Sequence, residues 1–255
     1  MDVLIVGAGA MGRWFGGVVG EAERLAFVDR EAGVAAEAAE AVGGRALDEK
    51  TAERFDLVCL AVPIPAVERA IELYAPLADR TIADVSGVMR EPVAAMEAYA
   101  PEREHVSLHP LFAPENAPGN VPIVAGDGPV ADWIRDRLRA AGNALVETTP
   151  EEHDRAMETI QTKAHAAVLA FGLAADDVPE GFETPVSREL FALVRQVTDG
   201  NPRVYADIQA TFPGAEDVAE AAIDVAEADY EAFEALYREA GIGEPGEARP
   251  HETDR

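Results

Sequence analysis

The sequence predicts an α/β protein: an N-terminal domain on a mostly parallel sheet, followed by an all-helical domain. Three observations carry this. Through residues 1–148, short apolar runs alternate with Ala-rich stretches long enough for a helix. The first run passes straight into a Gly-x-Gly-x-x-Gly turn. From Thr149 onward the apolar runs stop and only helical periodicity remains.

Each element has its own reason. Val3–Val6, Leu25–Val28, Leu57–Val62, Thr81–Asp84, Val106–Leu108, Val121–Ala125 and Ala144–Glu147 are short, apolar and rich in β-branched residues, so they read as strands. Thr149-Pro150-Glu151-Glu152 is a helix start, with an N-cap threonine, proline in the first turn and glutamate three after the cap. That helix is expected to run unbroken to about Ala175, on an apolar face of Met157, Ile160, Ala164, Val168 and Phe171. A loop follows over 179–183, then a helix over Pro185–Thr198, a third from about Pro202, and a long acidic one over about Ala215–Ala240. The expected organisation is 1–148, 149–242, and a flexible Gly, Pro and charge-rich tail at 243–255.

Composition narrows the function. The 255 residues leave room for a substantial core, and 48% are hydrophobic against 27% charged. No apolar run reaches the ~18 residues of a membrane span, and no basic stretch opens the chain as in a signal peptide. A cytoplasmic protein is expected. The only cysteine, Cys59, lies in an apolar run and reads as a buried strand residue. The net charge is -27, with only Lys50 and Lys163 as lysines, which argues against a nucleic-acid partner. Acid spread over the whole chain suits a halophilic surface, where molar salt screens self-repulsion.

Val3-Leu4-Ile5-Val6-Gly7-Ala8-Gly9-Ala10-Met11-Gly12 is a strand turning into a helix through glycines. Gly7 permits the tight turn, Gly9 lets backbone approach a pyrophosphate, and Gly12 lets helix and strand close together. The helix N-terminus then faces the phosphates. This is the fingerprint of a Rossmann dinucleotide site. Asp29, ending the second strand, suits the free 2′-hydroxyl of NAD, whereas Arg30 beside it would suit NADP. NAD is the expected cofactor and NADP the alternative.

Among the histidines, His109 stands out. It follows the strand Val106–Leu108 inside His109-Pro110-Leu111-Phe112-Ala113-Pro114, a loop stiffened by two prolines. Ligands of open α/β sheets bind beyond the carboxyl ends of the strands, and a general base needs fixed placement. A structural loop histidine is the competing reading. His153 and His165 share the helix after Thr149 but lie ~18 Å apart along it, so at most one touches a small ligand. Gln161 and His165 are one turn apart, and His153, near the helix start, reads as a capping or network residue. Arg188 and Arg195 share one helix face and suit an anion if that face is covered or lines the cleft, opposite a core stripe of Val186, Leu190, Leu193, Val194 and Val197. No histidine and carboxylate set has metal-ligand spacing.

These motifs together resemble the prephenate dehydrogenase family. The resemblance runs over about residues 1–240, through GAGAMG at 7–12, AVPI at 61–64, DVSGVMREPV at 84–93, HPLFAP at 109–114, EEHDRAMETIQTKAH at 151–165 and YADI at 205–208. It implies a Rossmann domain followed by a helical domain that dimerises. It implies oxidative decarboxylation: hydride leaves C4 of prephenate for the nicotinamide, the hydroxyl becomes a ketone, and CO2 departs as the ring aromatises. His109 is then the base, with Ser86 beside it. Gly7, Gly9, Ala10, Met11, Gly12, Asp29, Arg30, Val62 and Pro63 line the cofactor. His165, Gln161, Arg188 and Arg195 meet the substrate, prephenate or its amino analogue arogenate. His153 and Asp154 match a polar network near the entrance. The sequence departs from the family at Gly87-Val88-Met89, where Ser-Val-Lys is usual, and at Gln196, where an arginine is usual. Other readings stay open at this point: another Rossmann-plus-helical oxidoreductase using Lys163, or a dinucleotide sensor without catalysis.

Overall fold

A computed structural model describes residues 1–20, 22 and 24–241. The expected tail at 243–255 lies outside the described residues. Two compact units are present: Met1–Gln161 with Asn201–Phe212, and Thr162–Gly200 with the chain from Pro213 onward. Strands end at Glu147, close to the expected boundary at 148, but the compact units divide later because the next helix begins within the first unit.

The first unit is built on one sheet of eight strands: β1 Asp2–Val6, β2 Arg24–Val28, β3 Arg45–Ala46, β4 Phe55–Leu60, β5 Ala78–Asp84, β6 Glu104–Leu108, β7 Asn120–Ala125 and β8 Ala144–Glu147. Their order is β3-β2-β1-β4-β5-β6-β7-β8, all parallel except the β6–β7 pair. The chain runs outward from β1 through β2 to β3, then returns to place β4 on the other side of β1. That reversal opens a crevice at the carboxyl ends of β1 and β4. The central strands β1 and β4 are buried on both faces, which is why they read as continuous apolar runs rather than alternating ones. Cys59 is buried in β4, as expected, and burial pushes its thiol up.

Helices cover both faces. On one side pack α1 (Ala10–Val18), α2 (Ala32–Val42) and α5 (Pro129–Ala140), through Phe15, Ala35, Ala38, Val130, Ile134 and Leu138. On the other pack α3 (Val67–Tyr74) and α4 (Arg90–Tyr99), through Val67, Ile71, Ala95 and Met96. The three- and four-residue spacings put these side chains on single helix faces. A third small cluster joins Val88, Met157, Ile208 and Phe212, which ties α6 (Pro150–Met157) and α9 (Pro202–Thr211) into this unit.

The helix start at Thr149 is as expected. Thr149 Oγ1 accepts from the Glu152 amide at 3.2 Å, and Glu152 Oε2 accepts from the Thr149 amide at 3.3 Å. The helix does not continue as one α-helix to Ala175. A π-helical stretch, Glu158–Lys163, separates α6 from α7 (Ala164–Ala174). The wider turn shifts the register, and Ile160 of the expected apolar face is 49% exposed.

In the second unit, α7 lies against α8 (Pro185–Thr198), with Phe171 and Phe191 edge to face at 5.3 Å. Gly172 sits so close to Val194 that a β-carbon there would lie 3.0 Å from it. The inward stripe of α8 is Leu190, Phe191, Val194 and Val197; Val186 and Leu193, expected there, are exposed. The long acidic helix is two helices, α10 (Ala215–Glu227) and α11 (Tyr230–Glu239). Ala228 is extended, and Asp229 caps α11 by accepting from the Ala232 amide at 2.9 Å. Among the described residues no helix is long and apolar enough to cross a membrane.

Candidate active site

The glycine turn lies at the carboxyl end of β1, beside the crevice. Gly7 has φ +94°, and a β-carbon on it would fall 2.3 Å from the Ala61 carbonyl. A β-carbon on Gly12 would fall 1.9 Å from the Gly7 carbonyl. Gly9 is different: a β-carbon there meets nothing within 4 Å. The backbone is therefore tight behind Gly7 and Gly12 and open in front of Gly9. No side chain caps α1, and no acid stands in its first turn, so the positive end of the helix is left to an anion. Ala10 and Met11 belong to that first turn, and Val62 Cγ1 stands 3.2 Å from the β-carbon position of Gly7. Pro63 follows, at the start of a short 3-10 turn. These residues fit a dinucleotide pyrophosphate.

Asp29 has a second duty that the sequence did not reveal. Its Oδ2 accepts from the Ala8 amide at 2.8 Å and its Oδ1 from the Glu31 amide at 3.0 Å. The carboxylate thus pins the glycine turn to the end of β2. Arg30 is exposed. If Asp29 meets the ribose, Asp29→Ser should lower affinity for NAD more than for NADP, since a ribose acceptor and a repulsion would both be removed. Some loss should fall on both cofactors because Ala8 loses its partner. Equal losses in a side-by-side KM comparison would remove Asp29 as the selector.

His109 stands at the carboxyl end of β6 and is buried. Its Nδ1 lies 2.8 Å from His153 Nε2, and His153 Nδ1 lies 2.8 Å from Asp154 Oδ1. Asp154 also accepts from the Met89 amide at 3.0 Å, and from the Arg90 amide and Arg90 Nε, each at 3.2 Å. Burial alone would push Asp154 up, but the bonds from His153, Met89 and Arg90 outweigh it and hold the carboxyl below its usual range. An ionised carboxylate only accepts. His153 Nδ1 therefore donates; with one proton on that ring its Nε2 accepts, and His109 Nδ1 donates to it. His109 Nε2 is left as an acceptor, the state a base requires. Burial, with neighbouring His153 adding to it and Asp154 opposing, lowers His109 to about 3, so it is neutral through the ordinary histidine range.

Gln161 Nε2 lies 3.3 Å from His109 Nε2. His153, from α6, and Gln161, from the π-helical stretch, thus meet opposite nitrogens of the His109 ring. Gln161 Oε1 is buried without a hydrogen-bond partner among the described residues. A β-carbon on Gly87 would lie 3.6 Å from His109 Nε2, so a serine here would reach that nitrogen. Ser86 does not take that part. Its hydroxyl is bonded to the Asp84 carboxylate, with the Val88 carbonyl 3.0 Å away. The expectation that Ser86 supports His109 is thus corrected: Ser86 serves Asp84, which burial pushes up to about 6. Gln161 is the residue beside His109 Nε2.

The remaining expected residues lie in the second unit. His165 is on α7, where burial holds it below its usual value. Arg188 Nε is 3.5 Å from Glu183, and Arg195 is exposed in the last turn of α8. Lys163 Nζ is 2.5 Å from Asp217 Oδ2, so the lysine of the alternative oxidoreductase reading is engaged in an ion pair.

Residues 19–120 match the family model described as "Prephenate dehydrogenase, nucleotide-binding domain". The chain is 31% identical over 230 residues to the 4-amino-4-deoxyprephenate dehydrogenase of Streptomyces pristinaespiralis, covering 84% of this chain and 78% of that one. It is 27% identical over 216 residues to a protein of Methanocaldococcus jannaschii named a probable arogenate/prephenate dehydrogenase, covering 75% of this chain and 48% of that longer one. A crystal structure of prephenate dehydrogenase from A. aeolicus, in complex with hydroxyphenyl propionate and NAD+, shares the fold with TM-score 0.70 at 18% identity, over 93% of this chain and 96% of that one. The turn, the crevice and these matches agree, and the chain belongs to the prephenate dehydrogenase family of oxidoreductases.

Proposed function

We propose that the protein oxidises prephenate with NAD, with loss of CO2, to 4-hydroxyphenylpyruvate, and that His109 is the general base. The observation that carries this is the buried line from His109 Nδ1 through His153 to Asp154, which turns His109 Nε2 away from that line, at the carboxyl end of the sheet that also bears the glycine turn. Bound NAD supplies a hydride acceptor. Gly7, Gly9, Ala10, Met11, Gly12, Val62 and Pro63 would hold it, with Asp29 on the ribose. His109 Nε2 takes the proton of the C4 hydroxyl as hydride leaves that carbon, and Gln161 yields the lone pair to the incoming hydroxyl. His165, Arg188 and Arg195 are assigned to the substrate.

A second reading concerns what stands at C4. Gln161 Oε1, buried and unpartnered, is an acceptor beside an acceptor. A C4 amino group offers two N–H donors where a hydroxyl offers one. The S. pristinaespiralis relative is named for such a substrate. Purified protein with NAD in molar salt, given prephenate, arogenate and 4-amino-4-deoxyprephenate in parallel, separates these. The largest kcat/KM is expected with prephenate. The largest value with the amino compound would favour the second reading, and no NADH with any of the three would end both.

The same proposal includes a homodimer through the helices of the second unit. No residue of α7, α8, α10 or α11 is buried, although α7 is apolar almost throughout. Leu173 is 89% exposed, and Phe182, Val186, Tyr230 and Tyr237 are 71–80% exposed. Apolar surface of this extent calls for a cover, and a second copy supplies the same complement of faces. Light scattering at micromolar concentration in molar salt should give twice the chain mass. A monomer there would contradict it.

A further inference from the structure

We propose that His109 is one end of a proton relay, in which His153 receives the charge and Asp154 holds it, making His153 and Asp154 positioning residues of the reaction. This rests on the reading of His109 as the base. The geometry is a continuous line: His109 Nδ1 to His153 Nε2 at 2.8 Å, and His153 Nδ1 to Asp154 Oδ1 at 2.8 Å. All three residues are buried.

The physical need for a relay comes from His109's own surroundings. Burial keeps its imidazole neutral, but the same burial makes a proton on it costly. A lone base in that position would resist the charge it must take. Moving the charge one ring along, to the imidazole that touches the Asp154 carboxylate, removes the conflict. The substrate hydroxyl gives its proton to His109 Nε2, and the His109 Nδ1 proton crosses to His153 Nε2. His109 ends neutral with its proton on Nε2. His153 ends as an imidazolium whose Nδ1–H faces an ionised carboxylate. One proton enters and one moves on, the positive charge passing from NAD to His153, and the proton returns along the same line to the product oxygen when CO2 leaves and the ring becomes a phenol. The hydride and its electron pair go to the nicotinamide dinucleotide, which is the oxidant.

Asp154 is prepared for this. The Met89 and Arg90 amides, at the start of α4, hold its carboxylate ionised, and Arg90 Nε fixes its outer oxygen. Arg90 pairs with Asp154, and the buried Asp84 at the end of β5 also acts on it. Arg90 is half exposed, so solvent screens it, and the buried carboxylate dominates what His153 feels. A histidine serving only to fill space would need none of this alignment.

His153→Gln tests the relay. Glutamine can accept from His109 Nδ1–H and donate to Asp154, which keeps the His109 tautomer, but it cannot carry a proton. We expect kcat to fall about tenfold or more, within the usual range of a general-base contribution, with KM little changed. The acid limb of the kcat profile should shift, because His109 then titrates without a second imidazole bonded to its Nδ1. Thermal melting and NADH titration check that the variant is folded. The second measurement needs no variant: ¹⁵N chemical shifts of labelled histidines in the intact protein should show His109 and His153 both protonated on Nδ1. If His109→Asn is inactive while His153→Gln keeps its kcat and acid limb, the relay is overturned and the base stands. If His109 carries its proton on Nε2, the relay is overturned as well. If His109→Asn stays active, the reading of His109 as the base fails, and the relay with it.

Discussion

His109→Asn is expected to lower kcat by about 10²–10⁴, with a much smaller change in KM. Asparagine keeps a polar side chain but has no nitrogen able to accept the hydroxyl proton. The lost interaction belongs to the transition state, so kcat and kcat/KM should fall together. Stability should suffer too, since His153 Nε2 and Gln161 Nε2 both lose their partner in a buried setting. Each such loss costs about 1–3 kcal/mol, so melting must accompany kinetics. The pH profile carries the sign. His109 is held below its ordinary value, so it stays unprotonated as pH falls through the usual histidine range. The acid limb of the wild-type profile should therefore lie below ~6.5, the value that position in the sequence alone suggests. The unfolded chain would take up a proton there and the folded one would not, so His109's contribution to stability declines as pH drops below that value.

The second large effect is at the glycine turn. Gly12→Ala would put a methyl group 1.9 Å from the Gly7 carbonyl and 3.3 Å from Ile5 Cγ2. Neither neighbour can retreat freely. Gly7 is itself confined by the Ala61 carbonyl, and Ile5 is fully buried in β1. Overpacking of this kind costs about 1–3 kcal/mol or more, and the turn must deform. NADH titration should show affinity weakened by about tenfold or more, together with a lower Tm. Gly9→Ala separates the two effects. With nothing within 4 Å of the new methyl, Tm should hold. Binding should still weaken, because the methyl stands where the pyrophosphate must approach. Unchanged binding in both variants would remove the glycine turn from the cofactor site.

Much of this was legible in the chain. Apolar runs buried on both faces are hard to disguise, and the glycine turn announces the first strand, its helix and the crevice together. Thr149 and Glu152 signalled their helix because a capping box is local chemistry. What was not legible depends on distance in sequence or on small signals. β3 is two residues long, too short to show a pattern. The π-helical turn at Glu158–Lys163 alters side-chain register without any glycine or proline to mark it. Asp229 is a good N-cap residue, but it sits in an acidic stretch where one more carboxylate is inconspicuous. The pairing of His109 with His153 joins residues 44 apart, and nothing local foretells it. In the site, Ser86 stands next to the position, Gly87, where the family has serine. A shift of one residue along the backbone turned its hydroxyl to Asp84. Gln161 lies in the motif that carries the resemblance, but its contact with His109, 52 residues away, has no local signal.

The central claim is that this site couples oxidation at one ring carbon to loss of CO2, with His109 taking the proton. Stoichiometry tests it most directly. Purified protein in molar salt, supplied with NAD and limiting prephenate, should form NADH and release CO2 in equal amounts, with 4-hydroxyphenylpyruvate as the organic product, and His109→Asn should lose both together. NADH without CO2, CO2 without NADH, or equal turnover by His109→Asn would contradict the account.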